Sequence, residues 1–218
     1  RTTWFALLAS LVFAGITLAS VRDVAFFATD QRTQLPLVNI SVPITSFFTA
    51  GSALIAAFYI YFHVYLERLW QALAEAYPRV GRKPLADKLH FWVVADSALR
   101  IRDWLRDDTG VKRASAPRSM AAIGNLAAVV LVWIFGLFIV AWFWWRSMPA
   151  HNPAMTGTIA VVLIVTLGVS LRSSTAAHAY LAKRTAGRRW WAVFFPAVLA
   201  IGGLTVVLYG MIGLLGAA

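Results

Sequence analysis

Four histidines, His63, His90, His151 and His178, are the side chains best suited to hold a metal or haem or to move a proton. A metal or haem site between helices needs ligands that face one another. Only His63 lies near an apolar span, close to the tyrosine-rich end of "YIYFHVY", Tyr59 to Tyr65. His90 and His178 fall in polar connections, and His151 falls in a short turn. All four therefore read as interfacial or surface groups rather than ligands. No HExxH, no carboxylate pair and no GxSxG is present. Asp23 and Asp30 read as solvated loop charges. The chain has no cysteine, which removes disulfides and thiolate metal sites. The residues thus point to no catalytic set, no metal and no cofactor, and the chain reads as a non-enzyme.

Polar groups inside apolar spans carry a second kind of chemistry, because an ionisable residue there marks function. None is expected deep in any span, which argues against proton-coupled transport. Asn125 is the best polar candidate. It can make an interhelical hydrogen bond or present a pore-lining amide. Near the chain's end, Gly202, Gly203, Gly210, Gly213 and Gly216 punctuate an apolar run, and the last three share one helical side. Small residues let helices approach closely, so this side is expected to pack against another helix, within the protomer or between copies.

The elements that must carry these residues follow from composition. Of 218 residues, 60% are hydrophobic, with a mean hydropathy of +0.71. A soluble domain is nearer ~45–50% apolar. Long runs almost free of charge predict an all-α, polytopic membrane protein forming one domain over residues 1–218. Five spans are expected at about 4–20, 44–66, 120–145, 157–175 and 190–215. The connection 67–119 is the one sizeable polar piece. The chain opens on Arg1 rather than Met, so the numbered residues are expected to be part of a longer product, and 4–20 is not read as a cleavable signal.

Positive charge orients the spans. Net charge is +11. With five spans, Arg1, eleven Lys and Arg of the second connection and five of the fourth share one side, against three in the first and third connections. The positive-inside rule places the N-terminus, the connection 67–119 and the fourth connection in the cytoplasm. The basic excess then meets an anionic inner leaflet, and no nucleic acid is expected. Within 67–119, Leu66, Leu69, Trp70, Leu73 and Tyr77 continue the second helix. A break follows at Tyr77–Pro84. An amphipathic helix is then expected over Leu85 to Asp107, with Phe91, Val94, Ala98, Ile101 and Leu105 on one face. It is expected to rest on the inner leaflet, with Lys83, Lys88, Arg100 and Arg106 contacting lipid head groups.

The stretch "LPLVNISVPITSFF", from Leu35, interrupts this helical pattern. Val38, Ile40 and Val42 alternate with polar residues, the period of a strand, and Pro36 and Pro43 favour extended neighbours. An unpaired strand cannot sit in hydrocarbon, so the stretch is expected at the outer interface or against the helices, with Pro43 opening the second helix. This stretch, with "RTTWFALLASLVFAGITL" at Arg1, "YFHVYLERLWQAL" at Tyr61 and "FWWRSMPAHNPAM" at Phe143, resembles bacterial membrane proteins that carry pentapeptide repeats beside a helical membrane region. The repeats themselves are absent from this chain. The resemblance implies a helical membrane architecture and transfers no catalytic residue. Together these readings lead to a membrane scaffold or anchor that positions a cytoplasmic protein partner or an attached repeat domain. The alternative is an oligomeric pore or membrane-perturbing effector, assembled as a homo-oligomer.

Overall fold

The computed structural model describes residues 2–22, 26, 32–35, 40–75, 79–80, 83–84, 94–95, 97–99, 102, 118–182, 198 and 201–205. The first helix, α1, is Thr2–Ser20. Two strands follow, β1 (Arg32–Leu35) and β2 (Ile40–Pro43), and then α2 (Ile44–Glu75). A second, minimal hairpin pairs β3 (Arg79–Val80) with β4 (Lys83–Pro84). The next rod is α3 (Arg118–Val129), a π-helical turn at Val130–Ile134, and α4 (Phe135–Ser147). A 3-10 turn at Met148–Ala150 leads to α5 (Pro153–Ala182). The protein is all-α apart from the two short hairpins.

Among the described residues, four helices are long and apolar enough to cross a membrane. They match the first four expected spans, and two run much further than expected. The 32 residues of α2 and the 30 of α5 reach ~48 and ~45 Å, against a hydrocarbon core of about 30 Å. Each therefore projects beyond the core. The projection of α2 follows the helical repeat already visible at Leu66, Trp70 and Leu73. The projection of α5 carries Arg172 inside a helix, not in a connection. The expected fifth span at 190–215 lies almost wholly outside the described residues, of which it contains residue 198 and the helical stretch 201–205.

The core forms around α2. Ile44, Phe48, Ser52, Ile55, Tyr59, Phe62, Leu66, Trp70 and Leu73 are buried at steps of three or four residues, a single seam along the helix. Leu54, Tyr61, Val64 and Tyr65 point outward. Leu7, Leu11 and Leu18 of α1, Ile139, Val140 and Phe143 of α4, and Ile159 and Leu163 of α5 close around that seam. Hydroxyls within the helices bond back to their own carbonyls: Thr17 to Phe13 (2.9 Å), Thr49 to Thr45 (2.7 Å) and Thr166 to Val162 (2.7 Å). These three hydroxyls then need no water at that depth.

The helix ends are tied together at one face, where Phe47 and Phe48 of α2 meet Phe143 of α4 at ring separations of 5.4 and 5.6 Å, and Phe26 meets Phe48 at 5.4 Å. Arg146 donates to the Val21 carbonyl just past α1. The α4–α5 turn closes with His151 in the left-handed region (φ 49°). Asn152 caps α5, its Oδ1 accepting from Met155 N at 3.1 Å, with Pro153 in the first turn. The extended stretch after Leu35 finds its partner upstream: β2 pairs antiparallel with β1, Thr33 opposite Val42 and Leu35 opposite Ile40. That pairing satisfies the strand without burying it among the helices, and α2 starts one residue after Pro43.

Within the expected amphipathic helix, the described members Val94, Ala95, Ser97, Ala98, Leu99 and Arg102 are all buried. Val94, Ala98 and Leu99 belong to the same core as α2, so at these positions the segment packs on protein. Of the expected lipid contacts, Lys83 lies in β4. Lys88, Arg100 and Arg106 lie outside the described residues.

Chain direction fixes a topological prediction. Ala72, on the projecting end of α2, and Ala154, at the start of α5, are exposed at opposite ends of the bundle. Single cysteines at these positions should react with a membrane-impermeant maleimide from opposite sides of sealed vesicles. Labelling of both from one side would rule out the membrane-spanning arrangement.

Candidate functional site

The polar groups that meet inside the bundle come from three helices. On α2, Tyr59, His63 and Glu67 recur every fourth residue and so share a face. On α5, Ser170 and Ser173 lie one turn apart. Because α2 and α5 run parallel, these faces meet: His63 Nδ1 lies 2.8 Å from Ser173 Oγ, across 110 residues of sequence. His63 is only 2% exposed. One turn beyond, the Glu67 carboxylate stands 3.9 Å from the Arg172 guanidinium. Further along the same seam, Gln71 Nε2 donates to the Tyr180 hydroxyl at 2.9 Å.

The third contribution is the π-helical turn. A widened turn displaces carbonyls from the regular helical ladder, and such turns concentrate where a helix does more than span. Here the Trp133 carbonyl accepts from Tyr59 Oη at 3.1 Å and from Ser170 Oγ at 3.3 Å. One irregular turn is thereby joined to both α2 and α5. The Val132 carbonyl lies close to the imidazole, but without hydrogen-bond geometry, and His63 Nε2 has no partner. Trp70 and Trp133 stack at 6.1 Å, and neither indole Nε1 has a partner. Gly136 makes the close approach workable: a Cβ there would sit 2.5 Å from Tyr59 Cδ2.

Beside this seam a cleft of about 180 Å³ opens between α2 and α5. Ile60, Val64 and Val169 form its apolar wall, and His63, Glu67, Arg172 and Ser173 its polar part. The cleft can take a small polar or zwitterionic group with an apolar tail. The Ser173–His63 pair resembles a nucleophile beside a base. Its free Nε2 has no carboxylate to orient the ring, and Ser173 is itself buried. Among the described residues, no group of three or more His, Cys, Asp or Glu side chains could hold a metal.

His63 is thus buried within the protein, near the far end of the apolar part of α2. The signal was available in the four-residue spacing of Tyr59, His63 and Glu67. The partner that makes it a site, Ser173, lies on another helix and leaves no trace in local sequence. His151 and His178 are exposed, as expected, and His90 lies outside the described residues.

The other nominated residues separate. Asn125 is half-buried on α3, and its Oδ1 has no hydrogen-bond partner among the described residues. Gly202 and Gly203 are exposed, and a Cβ at either would meet no atom within 4 Å. Among the described residues, nothing packs closely on these two. Gly210, Gly213 and Gly216 lie outside the described residues. No protein-family profile, curated protein or solved structure matches this chain.

Two measurements check the seam. Gly136→Ala should destabilise the detergent-solubilised protein by about 1–3 kcal/mol, because the buried Tyr59 ring must move off its contact. A thermal shift no larger than that of Gly157→Ala, where a Cβ meets nothing, would show the contact to be slack. A double-mutant cycle on His63→Ala and Ser173→Ala should return a coupling of about 1 kcal/mol. Strict additivity would show that the pair makes no bond.

Proposed function

We propose that this protein is a non-enzymatic membrane scaffold or anchor, set in a bacterial inner membrane with its N-terminus in the cytoplasm. On this reading it holds a basic platform at the cytoplasmic face for a protein partner or for an attached repeat domain. The observation that carries the reading is Arg102. It is 2% exposed, and its Nη1 donates to the Leu73 carbonyl in the last turns of α2 at 2.8 Å. A carbonyl near a helix C-terminus lacks its in-helix donor and favours a cation. Ser97 Oγ adds a second tie, to the Gly124 carbonyl of α3 at 3.4 Å. These ties fix part of the long basic connection onto the projection of α2. The connection is thereby a docked element, which suits presentation to a partner better than lipid adsorption does.

The charge distribution supports the same reading. The ends of α2 and α5 that project furthest lie on the side that gathers most of the Lys and Arg residues. The likeness to membrane regions that accompany pentapeptide repeats fits an anchoring role. The buried seam is closed by helix-to-helix hydrogen bonds, as expected of a rigid support.

Two experiments test this reading. Vesicles loaded with carboxyfluorescein and reconstituted with the full chain should leak no faster than protein-free vesicles. Release that grows with protein content would replace the scaffold with the pore. In cells, a photo-crosslinker at Ala72 should capture one defined protein, and Arg102→Leu should abolish that capture while leaving membrane insertion intact. Capture that is indifferent to Arg102→Leu would remove the platform from the function.

A further inference from the structure

We infer that the cleft between α2 and α5 holds the head group of a single aminophospholipid, with one acyl chain lying along the outer face of α2. This goes beyond the scaffold reading and rests only on the helices crossing a bilayer.

Depth is the first argument. Counted from Ile44 at ~1.5 Å per residue, His63 lies ~28 Å and Glu67 ~35 Å along α2, against a hydrocarbon core of about 30 Å. The polar end of the cleft therefore sits at head-group level. On α5, Arg172 lies ~28 Å from Pro153 and reaches the same level from the neighbouring helix.

Shape is the second argument. The cleft shares Ile60 and Val64 with a larger groove of about 550 Å³, lined also by Ala57, Tyr61, Tyr65 and Arg68. The apolar members of that groove lie on the core side of Glu67, at acyl-chain depth, and Arg68 closes the head-group end. Polar cleft and apolar groove thus follow one another in the order in which a phospholipid presents its head and chain.

Charge is the third argument. Glu67 and Arg172 both line the cleft, 28% and 67% exposed, and their 3.9 Å separation exceeds the ~2.7–2.9 Å of a formed charge-assisted bond. Two opposite charges held close but not joined match a zwitterion: the phosphodiester on Arg172, the ammonium on Glu67. A purely anionic head group would leave Glu67 opposed and unpaired.

Native mass spectrometry of the full chain in detergent tests this. The probes are palmitoyl-oleoyl phosphatidylethanolamine, the phosphatidylglycerol and diacylglycerol with the same chains, and inorganic phosphate. One ethanolamine lipid should remain bound per chain, in preference to the glycerol head group and to diacylglycerol. Arg172→Gln should lower its retention about tenfold, roughly the ~1.4 kcal/mol of one lost charged contact. Glu67→Gln should abolish the preference over phosphatidylglycerol. Val64→Trp, which fills the groove without removing a charge, should also lower retention, with circular dichroism unchanged. Equal retention of every lipid by wild type and variants would overturn the proposal in favour of an indifferent lipid annulus. Displacement of the lipid by inorganic phosphate would overturn it in favour of a free-anion site. Retention unaltered by Val64→Trp would remove the groove from it.

Discussion

Inside a bilayer, a backbone or side-chain polar group that lacks a protein partner has no water to turn to. The architecture of this chain follows from that constraint. Hydroxyls of Thr17, Thr49 and Thr166 fold back onto their own helices. The irregular turn at Val130–Ile134 costs the third rod its regular ladder, and hydroxyls from α2 and α5 offset that loss at the Trp133 carbonyl. The same contact that satisfies the carbonyl locks three helices in register. Stability and specificity therefore share one cluster, and Gly136 exists at the point where bulk would separate its members.

Within this framework the unsatisfied atoms become informative. His63 Nε2, Asn125 Oδ1 and the indole nitrogens of Trp70, Trp133 and Trp144 are buried without partners. A bundle that economises on hydroxyls elsewhere leaves these five open among its described residues. His63 and Trp70 stand seven residues apart on the inner face of α2, and Trp133 faces both helices' seam from the third rod. The seam is thus closed by hydrogen bonds at Tyr59 and Ser173, with His63 Nε2 left unpartnered beside them.

The helical spans were legible because hydrocarbon demands long uncharged runs, and 4–20, 44–66, 120–145 and 157–175 stand out on that basis alone. Their true lengths were less legible. Arg172 looks like the end of a span in composition, while the helix passes through it to Ala182 because its last turns pack against α2 at Tyr180 and Leu181. The strand at Ile40 was visible in its alternation. Its partner, Arg32–Leu35, was not, since "RTQL" has no apolar period and only Thr33 is buried. The site was hidden for a different reason. His63 and Ser173 are ordinary residues in their own helices, and only parallel packing of α2 on α5 brings them to 2.8 Å. What covers Val94 and Ala98 was not legible, because an amphipathic face has the same pattern whether lipid or protein covers it.

The turn between α4 and α5 is only Met148–Asn152, and it is sealed from below by buried hydroxyls, Ser147 Oγ lying 3.2 Å from Thr156 Oγ1. Five residues cannot bridge a bilayer, so with the turn on the far side, as proposed, α4 and α5 enter as a pair, a helical hairpin threaded loop-first. The parallel mate of α5 is α2, which is made earlier and is already in place to receive it. Assembly of the seam is thus the last step available to this part of the chain, and His63 remains without Ser173 until that hairpin arrives.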